Sequence, residues 1–208
     1  TIVPAFGVHP WYVESLPNDW VETLALFLET HPRAMLGECG LDGVRHEISP
    51  TIQQTVFETQ IQLAKHYQRP LIMHGARIWD RLLALLRPSA AALPALVAHS
   101  FGGSLETLRA WLAIGGFVSI SGTVCNPRAK RVRAVAQMTP DDRLLVETDA
   151  PDMFPLGGKC CPKAPGCDLG RVRLLNHPAN LKAVIAAVAT LRQTSVEEVA
   201  RLTTTNAR

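Results

Sequence analysis

Apolar and polar positions alternate along this chain with two different periods. Six short apolar runs recur: IVPAFGV (2–8), AMLGECGL (34–41), PLIMH (70–74), ALVAHS (95–100), GFVSIS (116–121) and RLLVETD (143–149). Each is too short for a helix. Several are nearly continuous in apolar residues, as a strand covered on both faces should be. Between the runs lie longer segments with helical spacing. In 19–31, Trp20, Leu24, Phe27 and Leu28 make one stripe, with Asn18 or Asp19 as the N-cap. In 50–67, Val56, Phe57, Gln60, Ile61 and Ala64 share one side. Further helices are predicted at 77–87, 104–114, 127–137, 178–191 and 195–204, the last opening on a capping box of Ser195 and Glu198.

Strand followed by helix, repeated, predicts parallel strands joined by right-handed crossovers. An open doubly wound sheet and a closed (β/α) barrel both satisfy that pattern. The strand ends separate them. His9, Glu38, His74, His99 and Asp149 follow or close five of the runs. A doubly wound sheet gathers ligands at one switch point, whereas a barrel brings every strand end to one mouth. The expected fold is therefore an α/β, TIM-like (β/α) barrel, a single domain over 1–208. It is expected to be incomplete, with about six of the eight units such a barrel has.

Composition agrees with a globular chain and narrows its setting. The 208 residues are 47% hydrophobic, enough for one sizeable core. No apolar run reaches membrane-spanning length, and TIVPAFGVHPW does not read as a signal peptide. Five cysteines, an odd number, point to a reducing compartment. The expected location is intracellular and cytoplasmic, with an organelle or the nucleus open for a eukaryotic source. Cys160, Cys161 and Cys167 cluster in one loop. Zinc usually takes four ligands, so exposed reduced thiols are the simpler reading of that loop. A net charge of +3 permits an anionic partner without demanding one.

Taken singly, a His or Asp at a strand end is more often a hydrogen-bonding residue than a ligand. Glu38, His74, His99 and Asp149 at equivalent places in successive strands are a different matter. Jointly they suit Zn²⁺, Mn²⁺ or Mg²⁺ and water activation for hydrolysis. His9 either lies near that site or fixes the turn before Pro10. Glu147 shares a strand face with Asp149 and needs a partner if buried. Arg77, three residues after His74, is placed to reach an anionic substrate. The basic segment 126–137, with Arg128, Lys130, Arg131 and Arg133, is equally well read as a solvated helix face or a phosphate contact.

Seven motifs in order carry a resemblance: GVHPW, GECGLD, IMHGAR, HSFGG, SISGT, LLVETDAPD and LNHPANL. Together they resemble the TatD family of metal-dependent hydrolases, from the first residues to the last. The resemblance implies a TIM-like barrel with one or two divalent metals (Mg, Mn or Zn) at its mouth. It implies phosphodiester hydrolysis on single-stranded DNA ends, with 3′–5′ exonuclease character. By motif, Glu38 matches a glutamate that can bridge two metals, and His74 and His99 match two histidine ligands. Asp149 matches the aspartate that binds metal and orients or deprotonates the attacking water. Arg77 and His9 are expected on the substrate side. The family's opening H-x-H strand has no counterpart here. The first two strands are thus expected to be missing, with an upstream segment or a partner chain covering the open edge and activity of this chain weak or absent. Two alternatives remain open: a non-catalytic barrel serving as a structural subunit, and an amide or ester hydrolase of small molecules on the same barrel.

Overall fold

The computed structural model describes residues 2–156 and 175–208. The chain divides into two compact units, Thr1–Phe117 and Val118–Arg208. Cys160, Cys161 and Cys167, and any reading of their loop, lie outside the described residues.

In the first unit, strands β1 (Ala5–Phe6), β2 (Met35–Asp42), β3 (Leu71–Ala76) and β4 (Leu96–Ala98) pair in sequence order, all parallel. Helices α1 (Trp20–Thr30), α2 (Pro50–Tyr67), α3 (Trp79–Leu86) and α4 (Leu105–Leu112) follow them in turn. The second unit carries the parallel pair β5 (Phe117–Ile120) and β6 (Leu144–Val146) with α5 (Lys130–Met138), α6 (Leu181–Arg192) and α7 (Val196–Asn206). Every strand and helix read from the sequence is therefore present among the described residues, with ends moved by a few positions.

The local reasons are those of the pattern. Helix α2 starts where Ser49 Oγ accepts the Ile52 amide and Pro50 presets φ, and it ends at Gln68 in left-handed backbone. Its buried face holds Val56, Phe57, Ile61 and Ala64, but also two glutamines, Gln53 and Gln60. A buried carboxamide must be hydrogen-bonded. Gln60 brackets the backbone of Val8, accepting its N–H at 2.7 Å and donating to its carbonyl at 3.1 Å. Gln53 does the same for Asp42, at 2.8 and 3.2 Å. The two glutamines of this helix face thus fix the backbone at Val8, next to His9, and at Asp42.

Three local expectations change. Asp19 occupies the N-cap of α1 without a side-chain cap bond. Ser195 caps Glu198, but the Glu198 carboxylate pairs with Arg201 instead of closing the box. Phe27, expected in the α1 stripe, is 44% exposed and stacks on Phe6, with centroids 4.9 Å apart. An additional 3₁₀ turn, Pro10–Ser15, follows β1, anchored by buried Val13 against Ile48 and Val56.

Candidate metal centre

The register between β2 and β3 slips between Leu36 and Cys39, a bulge at Gly37 and Glu38. Bulges re-aim side chains, and they recur beside active sites. Beyond it the pairing is regular, with Gly40 opposite His74. A Cβ on Gly40 would stand 2.2 Å from the His74 carbonyl oxygen, so only glycine lets the two strands lie this close. Glu38, Gly40 and Asp42 alternate onto one face of β2.

This arrangement gathers four imidazole and carboxylate side chains within the first unit. Glu38 Oε1 is 3.6 Å from His99 Nε2, and Glu38 Oε2 is 3.9 Å from His9 Nε2. His9, Glu38 and His74 each offer a ligand atom within 4.8 Å of the others. Two donors about 2.1 Å from one tetrahedral ion stand about 3.4 Å apart, so these spacings suit shared coordination better than direct hydrogen bonds.

Beneath them is a residue that sequence reasoning missed. Asp42 is 4% exposed and saturated with donors. Its Oδ2 accepts from Trp11 Nε1 at 2.7 Å and from His74 Nε2 at 2.9 Å, and its Oδ1 accepts the Val44 and Arg45 amides at 2.7 and 3.1 Å. Burial opposes its charge, but the bonds from Trp11, Val44, His74 and Arg45 prevail and hold the carboxyl at about 2. An ionised carboxylate only accepts, so His74 carries its proton on Nε2 and its lone pair on Nδ1. A carboxylate fixing the tautomer of a ligating histidine is the usual support of a metal site. The signal for Asp42 was present in GECGLD: an acid closing a strand on the same face as Glu38.

His9 has the opposite polarity. Its Nδ1 accepts the Trp11 amide at 3.2 Å, capping the 3₁₀ turn, so a neutral ring carries its proton on Nε2. His9 therefore faces Glu38 as a donor. Arg77 is exposed on the turn after β3 and makes no hydrogen bond or ion pair among the described residues. Cys39 is fully buried beside Glu38. Burial, then the Glu38 charge, pushes its thiol well up, which leaves it a protonated packing group.

In the second unit, Asp149 lies just beyond β6 with φ +59. Glu147 Oε2 accepts from the Ser119 hydroxyl at 2.5 Å. The backbone around Asp149 is held by Asn176, another residue with an unanticipated part. Its Nδ2 donates to the carbonyls of Thr148 at 2.6 Å and Met153 at 3.3 Å. Arg77, Ser100 and Asp149 all have left-handed backbone, with φ of +54, +42 and +59. Each follows a strand, and each costs on the order of 1 kcal/mol or more, the kind of strain that collects at functional sites.

The comparisons with known proteins fit this constellation. The TatD-related DNase family matches residues 1–208. The chain belongs to the TatD-related DNase family. It is 35% identical over 203 residues to the 3′-5′ ssDNA/RNA exonuclease TatD of Erwinia billingiae, covering 97% of this chain and 74% of that protein. The crystal structure of a TatD homologue from Escherichia coli superposes with a TM-score of 0.86 at 31% identity, covering 99% of this chain and 74% of the other. A TatD-family hydrolase from Entamoeba histolytica shares the fold, with a TM-score of 0.81 at 22% identity over 99% of this chain and 73% of its own. The α/β barrel class read from the strand–helix alternation is therefore the fold of this TatD-family chain, and the family is one of hydrolytic enzymes. Among the described residues no helix is long and apolar enough to cross a membrane.

Proposed function

We propose that this chain hydrolyses phosphodiester bonds of single-stranded nucleic acid from the 3′ end, using a divalent metal held by Glu38, His74 and His99. The observation that carries this reading is the Asp42–His74 bond beside Glu38. It commits one histidine nitrogen to a buried carboxylate and leaves the other as a ligand. By its motif, Asp149 is the carboxylate that takes the proton from water. Bound there, Mg²⁺, Mn²⁺ or Zn²⁺ would supply Lewis acidity at phosphorus and lower the pKa of a water to about 7. The protein's own groups do the rest. Asp42 keeps His74 in one tautomer. His9 Nε2–H donates to a phosphate oxygen. Arg77 is exposed and able to pair with the backbone of the strand. The names of the curated relatives support nucleic acid as the substrate.

Digestion of a 5′-labelled single strand with each metal in turn tests this. Stepwise shortening from the 3′ end is expected. Positions one step removed from a metal already cost about 10–100-fold, so Glu38→Gln should cost more than about 100-fold. An intact strand with all three metals, or full activity in Glu38→Gln, would overturn the assignment. Cleavage of simple esters or amides without cleavage of DNA would favour a small-molecule hydrolase.

A further inference from the structure

Beside this cluster stands an aromatic pair that the chemistry leaves unused. Trp11, Tyr12 and Phe27 are the exposed aromatic residues among the described ones, and Phe27 is covered by Phe6. Trp11 is fixed in place. Its indole N–H is bonded to Asp42, and the Arg45 guanidinium lies 4.2 Å over its ring. Tyr12 differs: it is 62% exposed, and among the described residues its one ring neighbour is His9, with centroids 6.1 Å apart.

The backbone beneath Tyr12 is rigid. Its amide donates to the His9 carbonyl at 3.0 Å, its carbonyl accepts the Ser15 hydroxyl at 3.2 Å, and Val13 next to it is buried. An exposed aromatic ring on a backbone held this firmly, 6.1 Å from the ring of the histidine proposed to contact phosphate, has the properties of a stacking platform. Single-strand binders use such rings because every base presents a π-face, whatever its sequence. A paired base has both faces covered by its neighbours, so the same ring also favours single strands over duplex.

We infer that Tyr12 stacks on a nucleobase of the bound single strand, adjacent to the phosphate that His9 contacts. The inference rests on the nuclease reading for the class of ligand. Tyr12 acts here as a positioning residue, and its contribution is read in binding and KM, with kcat little changed.

The test compares oligothymidylate with an abasic strand of equal length, which has the same charge and lacks only the bases. Fluorescence anisotropy with labelled strands, without added metal, measures binding by the wild-type chain, Tyr12→Ala and Tyr12→Phe. Tyr12→Ala should weaken oligothymidylate binding about tenfold, leave abasic binding unchanged, and be rescued by Tyr12→Phe. Equal losses on both strands, or no loss on either, would overturn the inference even if the chain digests DNA. A base-dependent loss in a chain that cuts no DNA would uphold stacking and remove the nuclease reading instead.

Discussion

The end of β2 and the end of β6 each present an acid, and each is held by one buried carboxamide, but from unlike frameworks. At β2, Gln53 projects from the first turn of an eighteen-residue helix and brackets the N–H and carbonyl of Asp42. Asp42 in turn closes β2, in the stretch whose pairing with β3 is regular. Beyond β6, Asn176 precedes a short 3₁₀ turn and holds an irregular segment containing Asp149. Its side chain donates to the carbonyls of Thr148 and Met153 and accepts from the His177 backbone amide and the Asn180 side-chain amide, and its own backbone amide donates to the Pro151 carbonyl. The helix supplies its rigidity from many packed neighbours, so Gln53 adds a pin to an already fixed strand. Among the described residues the segment beyond β6 has no such ladder, and Asn176 ties it at Thr148, Pro151 and Met153. Where regular structure stops, one polar side chain must replace it.

That contrast predicts unequal costs. Asn176→Ala should have the largest effect, because it removes the bonds of buried Asn176 to Thr148, Met153, His177 and buried Asn180 together, each worth about 0.5–1.5 kcal/mol net. A loss of about 3 kcal/mol or more in urea unfolding is expected, with nuclease activity falling further than stability explains as Asp149 loses its left-handed setting. A loss under about 1 kcal/mol would mean that the loop orders itself, and the comparison would fail. Gln53→Leu should come next. It keeps volume but leaves the Asp42 N–H and carbonyl unpaired, for about 2 kcal/mol. The helix and strand still hold, so activity should fall in step with stability and no more. A selective loss of activity in Gln53→Leu would show that the pin, not the strand, sets the geometry of Asp42.

The same contrast governs what the sequence could reveal. Strands and helices were legible because apolar spacing is a local signal, and the strand-end residues Glu38, His74, His99 and Asp149 stood out against it. Gln60 was visible within an apolar stripe, though its bond to Val8 was not. Asp42 was missed because a strand-closing acid within a motif looks the same whether it faces solvent or four donors. Only the fold brings Trp11 and His74 to it, from 31 and 32 residues away. Asn176 was missed for the complementary reason. Its partners lie 23 to 28 residues back in a segment with no periodicity to read.

Asp42→Asn is the variant whose pH dependence sharpens the comparison most. The folded carboxyl is held at about 2, below an ordinary 3.8. A depressed carboxyl stabilises fully above its unfolded value and loses that stabilisation as pH falls through its folded value. The contribution is about 2 kcal/mol near neutrality and vanishes between about pH 4 and pH 2. In the variant, Oδ1 still accepts the Val44 and Arg45 amides. An amide nitrogen replaces Oδ2, however, and faces the Trp11 and His74 donors. His74 can answer by moving its proton to Nδ1, which removes the lone pair that the proposed metal would use; Trp11 has no such option. Thermal melts from pH 6 to pH 2 should therefore show wild type and variant converging at the acid end, while metal affinity at neutral pH drops about 10–100-fold. Parallel curves over the whole range would mean that the charge of Asp42 contributes nothing to the fold. Unchanged metal affinity would mean that the His74 tautomer is fixed by something other than Asp42.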